Sequence, residues 1–527
     1  MLVFTAALGP GAFWLDSSEL ATAAFELGVA HPPGHPLWAL WAKAITLIPL
    51  GDVAMRVGWS SAILAALATV QVTRLGAHVA HRLGSPRPSW LGVAVGLAWA
   101  GVWATAFSAV RAEVYALSSL LTLSAALALL RFESGGERKD LWHAAFWAGL
   151  ALGNHPLLGL SLVGPGLVVG ALAIHAHRRK LRLGLAIGGA LAAGSLSLLL
   201  LPYLPLRALR HPLVDWGAPV NLARIWWTVS ARAFQSAVER GGTGEVGDLV
   251  GALSIELRGI GVLLAVLGAW LLLRRNETRR LALLPLGVVL VQLGARALVG
   301  FDWGNPDAWA YFSDGVAMSL VLCVVPLALL RGRAMQLICS AFVILALASG
   351  LVERHRWWIA GHHDLPRVLG GWLDDLPPRT PLVTSYFQTV FGLWYLQSVE
   401  GRRPDVDLIH RHFLTSPGYA DDLVRRRPSL APALGSRDVE WSKLPAEAVV
   451  EYDLDLPPQI RAIPVPAPHV DLTDEEQTTR YLGWQSFLSA HQACKEHRRA
   501  DLEASIKDAQ RRLGDGPELQ DLLANCH

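Results

Sequence analysis

The residues with the most chemical content stand just behind the first apolar stretch of the chain: Trp14-Leu15-Asp16-Ser17-Ser18-Glu19-Leu20, then His31-Pro32-Pro33-Gly34-His35-Pro36. A carboxylate where an apolar bundle meets water can take a proton from a hydroxyl nucleophile, which is general-base work. Asp16 and Glu19 are the candidate catalytic pair, three positions apart and so on one face of a helix that starts there. A plainer account makes Asp16 a helix N-cap with Glu19 completing a capping box. His31 and His35 are candidate substrate-binding groups. A divalent metal between two imidazoles is conceivable, but Pro32, Pro33 and Pro36 oppose a helical i, i+4 pair; no metal and no cofactor is the expectation.

Further polar groups interrupt apolar segments at four other places. Arg111, Glu113 and Tyr115 occupy a tight turn, where Arg111 and Glu113 neutralise each other or bind substrate. Asn154-His155-Pro156 breaks another pair of apolar stretches, and a charge in hydrocarbon costs about 2.5–3.5 kcal/mol on insertion scales, so polar groups at such depth are functional candidates. Arg207 and Arg210, followed by Asp215 and Trp216, suit the clamping of an anion such as a lipid phosphate. Asp307, with Asn305, and Tyr311 head a further apolar run and can orient a polar substrate. No Walker sequence, phosphate-gripping glycine loop or Ser-His-Asp pattern is present, which argues against an ATP-driven pump.

The elements that must hold these groups are membrane helices. The 527 residues are 52% hydrophobic and 17% charged, with mean hydropathy +0.36; a net charge of +3 excludes a nucleic-acid partner. Taking about 20 apolar residues per span, helices are expected near 1–15, 54–80, 89–108, 114–131, 142–153, 156–174, 183–204, 248–273, 281–299, 311–330 and 334–352, with 36–50 as a surface-lying helix. The short first stretch reads as a span clipped by the gene start, since it lacks the basic flank of a signal peptide. Arginine and lysine collect in alternate loops, at Arg74 to Arg87, Arg131 to Lys139, Arg178 to Arg182, Arg274 to Arg280 and Arg331 to Arg333. That bias puts the amino terminus inside and all the polar groups above outside.

The predicted fold class is therefore an all-α polytopic membrane bundle of about eleven transmembrane helices over residues 1–352, with an α/β, then helical, extracytoplasmic soluble domain over 353–527. In that tail Pro381 to Ser385 reads as a strand, 388–400 as a helix and Pro404 to His410 as a second strand, one βαβ unit. Thr473 and Glu476 suggest a capping box, and a later helix runs to Leu513. Cys494 and Cys526 can pair if the tail is extracytoplasmic; Cys323 and Cys339 lie in apolar runs.

Together, Asp16-Ser-Ser-Glu19-Leu, Leu27-Gly-Val-Ala-His31-Pro-Pro-Gly-His-Pro-Leu37, Arg111-Ala-Glu-Val-Tyr-Ala-Leu117, Gly153-Asn-His155, Leu204-Pro-Leu-Arg207 and Asp215-Trp-Gly217 resemble the membrane O-mannosyltransferase family typified by the animal enzyme that modifies plexin-type receptor domains. The resemblance covers most of residues 1–310, and Leu396-Gln-Ser-Val-Glu400-Gly with Arg403-Pro-Asp405-Val extends it less distinctively. It implies the type C glycosyltransferase fold and a polyprenyl-phosphate sugar as donor, mannose among the candidates. It also implies an inverting mechanism with Asp16 as general base, Glu19 beside it, and Arg207, Arg210 or Arg111 stabilising the leaving phosphate. The chain has Ser17-Ser18 where relatives commonly have Ser-Gly.

The expected protein is thus a multi-pass enzyme of the bacterial inner membrane, a glycosyltransferase whose partners are membrane lipid, a polyprenyl-phosphate sugar and a protein or glycan acceptor. A carrier or binding protein for lipid-linked saccharide in envelope assembly is the alternative. Carriers place polar groups at the midplane with access from both sides, whereas here they gather on one side.

Overall fold

Proline and glycine set the breaks between the helices, and the helices set the rest. The computed structural model describes residues 1–235, 246–299, 301–330, 341, 352–457, 459–466, 472–473 and 476–526. The first half runs α1 (Leu2–Ala7), α2 (Ser17–Glu26), α3 (Pro36–Thr46), α4 (Val53–Arg82), α5 (Pro88–Gly101), α6 (Trp103–Ala109), α7 (Tyr115–Gly135), α8 (Arg138–Asn154), α9 (Pro156–His177), α10 (Leu183–Ser195), α11 (Tyr203–Ala208) and α12 (Leu222–Val229). There follow α13 (Val246–Glu256), α14 (Ile260–Leu273), α15 (Arg279–Val299), α16 (Pro306–Ala310), α17 (Ser313–Leu329), α18 (Arg354–Trp357) and α19 (Asp364–Asp375). Proline opens α3, α5, α9 and α16, where its missing N–H is no loss.

Among the described residues, five helices are long and apolar enough to cross a membrane: α4, α7, α9, the stretch Leu183–Ala208 and α15. Two bent pairs raise the number to seven, α5 with α6 (68°) and α13 with α14 (100°). The chain is a multi-pass membrane protein. About eleven spans were expected, and the difference has identifiable sources. Only Leu2–Ala7 of the stretch 1–15 is helical, and those six residues rise about 9 Å. The two expected spans over 89–108 and 248–273 are each broken, and α8, over the expected 142–153, and α17, over the expected 311–330, have 17 residues each. All but residues 341 and 352 of the expected span 334–352, Cys339 among them, lie outside the described residues. Segment 36–50 holds the short helix α3, as its flanking prolines suggest.

The tail contains β1 (Pro381–Thr384), α20 (Phe387–Ser398), β2 (Asp407–His410), α21 (Tyr419–Arg426), β3 (Val449–Val450), α22 (Glu476–Lys495), α23 (Arg499–Leu513) and α24 (Pro517–Asn525). β1 and β2 pair in parallel with Leu382 opposite Leu408 and Val383 opposite Ile409, the expected βαβ unit. The sequence reading missed β3, two residues long, which pairs in parallel with the other side of β1 and makes the order β2-β1-β3. Cys494 and Cys526 form a disulfide with Cα atoms 5.7 Å apart, tying α22 to the end of α24. The Thr473 hydroxyl, placed in a capping box by the sequence reading, donates to Asp364 Oδ2 at 2.5 Å and so anchors this segment on α19; residues 474–475 of that box lie outside the described residues.

One buried apolar cluster joins α2, α3, α6 and α7 to α19, α20 and α22. Trp14 stacks on Tyr481 with ring centroids 4.5 Å apart, and its indole N–H donates to Thr478 Oγ1 at 2.8 Å. Tyr395 donates its hydroxyl to Asp52 and accepts from the Ala54 N–H at 3.0 Å; Ser398 donates to Glu26. The tail is thereby docked on the segments that flank Asp16.

Candidate active site

Asp16 stands at the N-cap of α2, but its side chain makes no capping hydrogen bond. The capping account is therefore not the one the structure adopts, and the carboxylate, 27% exposed, faces a cavity of ≈ 390 Å³. One turn along α2, Glu19 is fully buried and accepts twice from His31, from the backbone N–H at 2.9 Å and with Oε2 2.8 Å from Nδ1. The other ring nitrogen of His31 lies 3.9 Å from Asp16 Oδ2. Glu19, His31 and Asp16 thus form a carboxylate–imidazole–carboxylate row.

The Pro-rich turn delivers His31 to that row. Gly28 precedes it, and a Cβ there would lie 2.5 Å from the Val214 carbonyl, because Val29 exchanges backbone hydrogen bonds with Val214 and Trp216 at 2.9 and 3.1 Å. Gly34 closes the turn at φ +92°, a conformation that suits glycine, with Leu204 and Thr228 packed against the space a side chain would fill.

Arg111, fully buried, is the opposing charge. It donates to Glu113, to Asp307 Oδ1 at 2.7 Å and to Ser17 Oγ at 3.2 Å, and lies over the Phe107 ring at 4.7 Å. The pairing of Arg111 with Glu113 expected from their spacing is made, but it is one arm of a wider network that brings Asp307, 196 positions away, into the same cluster. Trp38 and Ser61 hold Glu113 in place through its backbone.

An aromatic and imidazole ladder continues behind the row. His35 is 5.3 Å from His31 and 5.5 Å from His155; His155 meets Tyr311 at 5.4 Å and Tyr115 at 6.1 Å. His35 Nδ1 sits 2.8 Å from the Asn154 carbonyl, whose own amide donates to Ser118 Oγ at 2.9 Å. The Nε2 atom of His35, Nδ1 of His155 and Oδ1 of Asn154 are buried without a partner among the described residues, the condition in which a polar group awaits a ligand or water.

Electrostatics follow from this packing. Burial raises the Asp16 carboxyl to about 6, with His31 working against the rise and Asp307 and Glu19 adding to it. Burial disfavours the His31 imidazolium, yet Glu19 and Asp16 together raise that ring to about 10, so it stays cationic at neutral pH. Asp16 near 6 is ionised at pH 7 and retains basicity, as a general base requires.

Two expected groups lie elsewhere. Arg207 donates from Nε to the Leu27 carbonyl at 2.6 Å and from Nη2 to the Glu26 carbonyl at 2.8 Å, binding the C-terminal end of α2 where carbonyls lack helical partners; Arg210 is exposed. Asp215 and Trp216 form a second cluster with Phe413, 4.6 Å from Trp216, and with Asp422. Burial and then Asp422 raise the Asp215 carboxyl to about 7. Phe234 is the bridge between the clusters, 6.5 Å from both His31 and Trp216. Ser17, Ser118 and Phe234 were missed from the sequence, as were the tail residues Tyr386, Gln388, Arg480, Tyr481 and Trp484 that line the cavity. Ser17 lies inside the Asp16–Glu19 run itself; the others carry no local signal, because each meets the site through tertiary contact.

Known proteins resemble this chain in two ways. Residues 16–180 match the model of the protein O-mannosyl-transferase TMEM260 N-terminal domain. Mouse protein O-mannosyl-transferase TMEM260 is 38% identical over 158 residues, which are 28% of this chain and 21% of the mouse protein. The match thus spans about a fifth of that relative's length. The crystal structure of ArnT from Cupriavidus metallidurans in the apo state has a TM-score of 0.54 with this one at 15% identity, covering 89% of this chain and 94% of ArnT; a likeness at that identity is one of fold. The chain shares its fold with ArnT, and the segment that holds the Asp16–His31 row is the segment similar to the protein O-mannosyl-transferase TMEM260 N-terminal domain.

Proposed function

We propose that this protein is an integral membrane glycosyltransferase. It transfers a sugar, mannose in the first instance, from a polyprenyl-phosphate donor to an acceptor hydroxyl outside the bacterial inner membrane. Asp16 takes the proton from the acceptor hydroxyl, the oxygen attacks the anomeric carbon, and the lipid phosphate departs from the opposite face with inversion. Glu19 is a positioning residue in this reading: it holds His31 by two contacts, and cationic His31 keeps Asp16 ionised in spite of its burial. The observation that carries the proposal is a partly exposed carboxylate at a cavity wall, flanked by a held imidazole and free of any capping duty.

The test is purified protein with polyprenyl-phosphate hexose labelled in the sugar, comparing wild type with Asp16→Asn. Release of lipid phosphate by wild type, abolished in the variant with donor binding retained, is the expected result. Equal turnover by both rejects Asp16 as base, and donor binding without turnover by wild type turns the reading to a carrier.

A further inference from the structure

The cavity before Asp16 has two unlike walls. One belongs to the transmembrane part, with Asp16 and the Asp302 to Asp307 segment; the other belongs to the tail, with Phe387 and Gln388 at the start of α20 and Trp484 on α22. Phe387 is 44% exposed although it borders the site. Trp484 is half-buried, stacked on Phe487 at 5.0 Å and edge-on to Tyr386. The Oε1 atom of Gln388 is buried without a partner among the described residues. Arg480 ties the walls together by donating to the Gly304 carbonyl at 2.5 Å.

Flat apolar rings beside planar carboxylate and amide groups make a particular kind of surface. The C–H face of a pyranose rests on the positive-edge, negative-face field of an aromatic ring, and its adjacent hydroxyls both donate and accept, which carboxylates and amides match in pairs. One way to hold an extended peptide is by main-chain hydrogen bonds along an exposed strand edge, and no strand among the described residues lines this cavity. The volume, ≈ 390 Å³, falls in the range of small-molecule pockets, about 300–1,000 Å³. The tail wall lies beyond residues 16–180, the segment matched by the N-terminal domain model.

We propose that this cavity is the acceptor subsite and that the acceptor it takes is a saccharide, whose ring lies between the Phe387–Trp484 wall and Asp16 with one hydroxyl turned to the carboxylate. The proposal rests on the reading of Asp16 as base, but its test does not depend on turnover. Full-length protein carrying Asp16→Asn, to block transfer, is titrated with methyl hexopyranosides of the manno, gluco and galacto series and, separately, with a blocked serine-containing tripeptide. Binding is read by saturation-transfer NMR. At least one hexoside is expected to bind, to be weakened roughly tenfold by adding Phe387→Ala or Gln388→Ala, to be restored by Phe387→Tyr, and to stay bound when polyprenyl-phosphate hexose is loaded.

Displacement of the hexoside by the loaded donor would give the cavity to the donor's own sugar and overturn the assignment. So would hexoside binding indifferent to Phe387 and Gln388, no hexoside binding, or tripeptide binding that those substitutions weaken. Hexoside binding of the expected pattern in a protein whose wild type never cleaves a donor would sink the transferase reading and leave the saccharide subsite standing. Turnover without hexoside binding would do the reverse.

Discussion

Asp16 and Glu451 are both carboxylates removed from bulk water, and the difference between them separates a site from a core. Glu451, at the end of β3, is 1% exposed. It accepts from Thr384, from Thr389 at 3.1 Å and from Gln485 Nε2 at 2.9 Å. Burial raises its carboxyl to about 7 against the pull of those hydrogen bonds. Asp16 is likewise raised by burial, to about 6, but it has charged neighbours where Glu451 has neutral donors, and it opens on a cavity. A fully satisfied carboxylate holds strands and helices in place. A carboxylate balanced by charge and left open on one side is available for proton transfer.

The largest effect that would break this contrast lies at Asp16 itself. Asp16→Asn should lower sugar transfer about 10²–10⁴-fold while the melting temperature stays put, since the amide has the same shape and no capping bond is lost. A variant within tenfold of wild type would place Asp16 with Glu451 as a structural group. Glu451→Ala should do the converse. It strands Thr384, Thr389 and Gln485 in the core and destabilises the protein by about 3 kcal/mol, read by chemical denaturation, with transfer per folded molecule unchanged.

The third comparison is by pH. Native transfer should rise with pH through an inflection near 6 as Asp16 ionises. His31→Gln removes the cation that opposes this group's burial, leaving Arg111 alone against Glu19 and Asp307. The acid limb of the rate profile should then move to higher pH; a fixed limb would show that His31 does not act on Asp16. Glu19→Gln removes a negative charge that adds to the rise of the Asp16 carboxyl, so with His31 still cationic the limb should move the other way, to lower pH.

The smallest effect concerns stability. The folded carboxyl of Glu451 is raised above its ordinary value of 4.5 to about 7, so the folded state binds its proton more tightly than the unfolded chain. The resulting stabilisation is present below about pH 4.5 and is lost as pH rises through about 7. Glu451→Gln should flatten that part of the stability profile in denaturation experiments run from pH 4.5 to 8. An unchanged slope would place the titration elsewhere.

Much of the site was legible because its groups break hydrophobic runs. Asp16, Glu19, His31, His35, Arg111, Asn154, His155 and Asp307 each interrupt an apolar stretch, and an ionisable or strongly polar group in such a place needs a partner. The structure supplies those partners from one another. Arg207 and Arg210 stood out by the same rule, but the rule does not distinguish an anion clamp from a helix-end anchor, and Arg207 binds the end of α2. The broken pairs α5–α6 and α13–α14 read as single spans because hydropathy averages over a bend.

Local chemistry alone determined that this chain crosses membranes, where its polar groups interrupt the apolar runs, that the tail holds a βαβ unit and that Cys494 and Cys526 can pair. Periodicity, proline and charge act within a few residues, and those features are built at that range. Only the tertiary structure decided that Asp307 reaches Arg111, that Trp14 stacks on Tyr481 and that Phe387, Gln388 and Trp484 wall the cavity before Asp16. Such contacts join segments up to 464 positions apart. No short-range pattern encodes them, because they arise from the way packed helices dispose their faces in space.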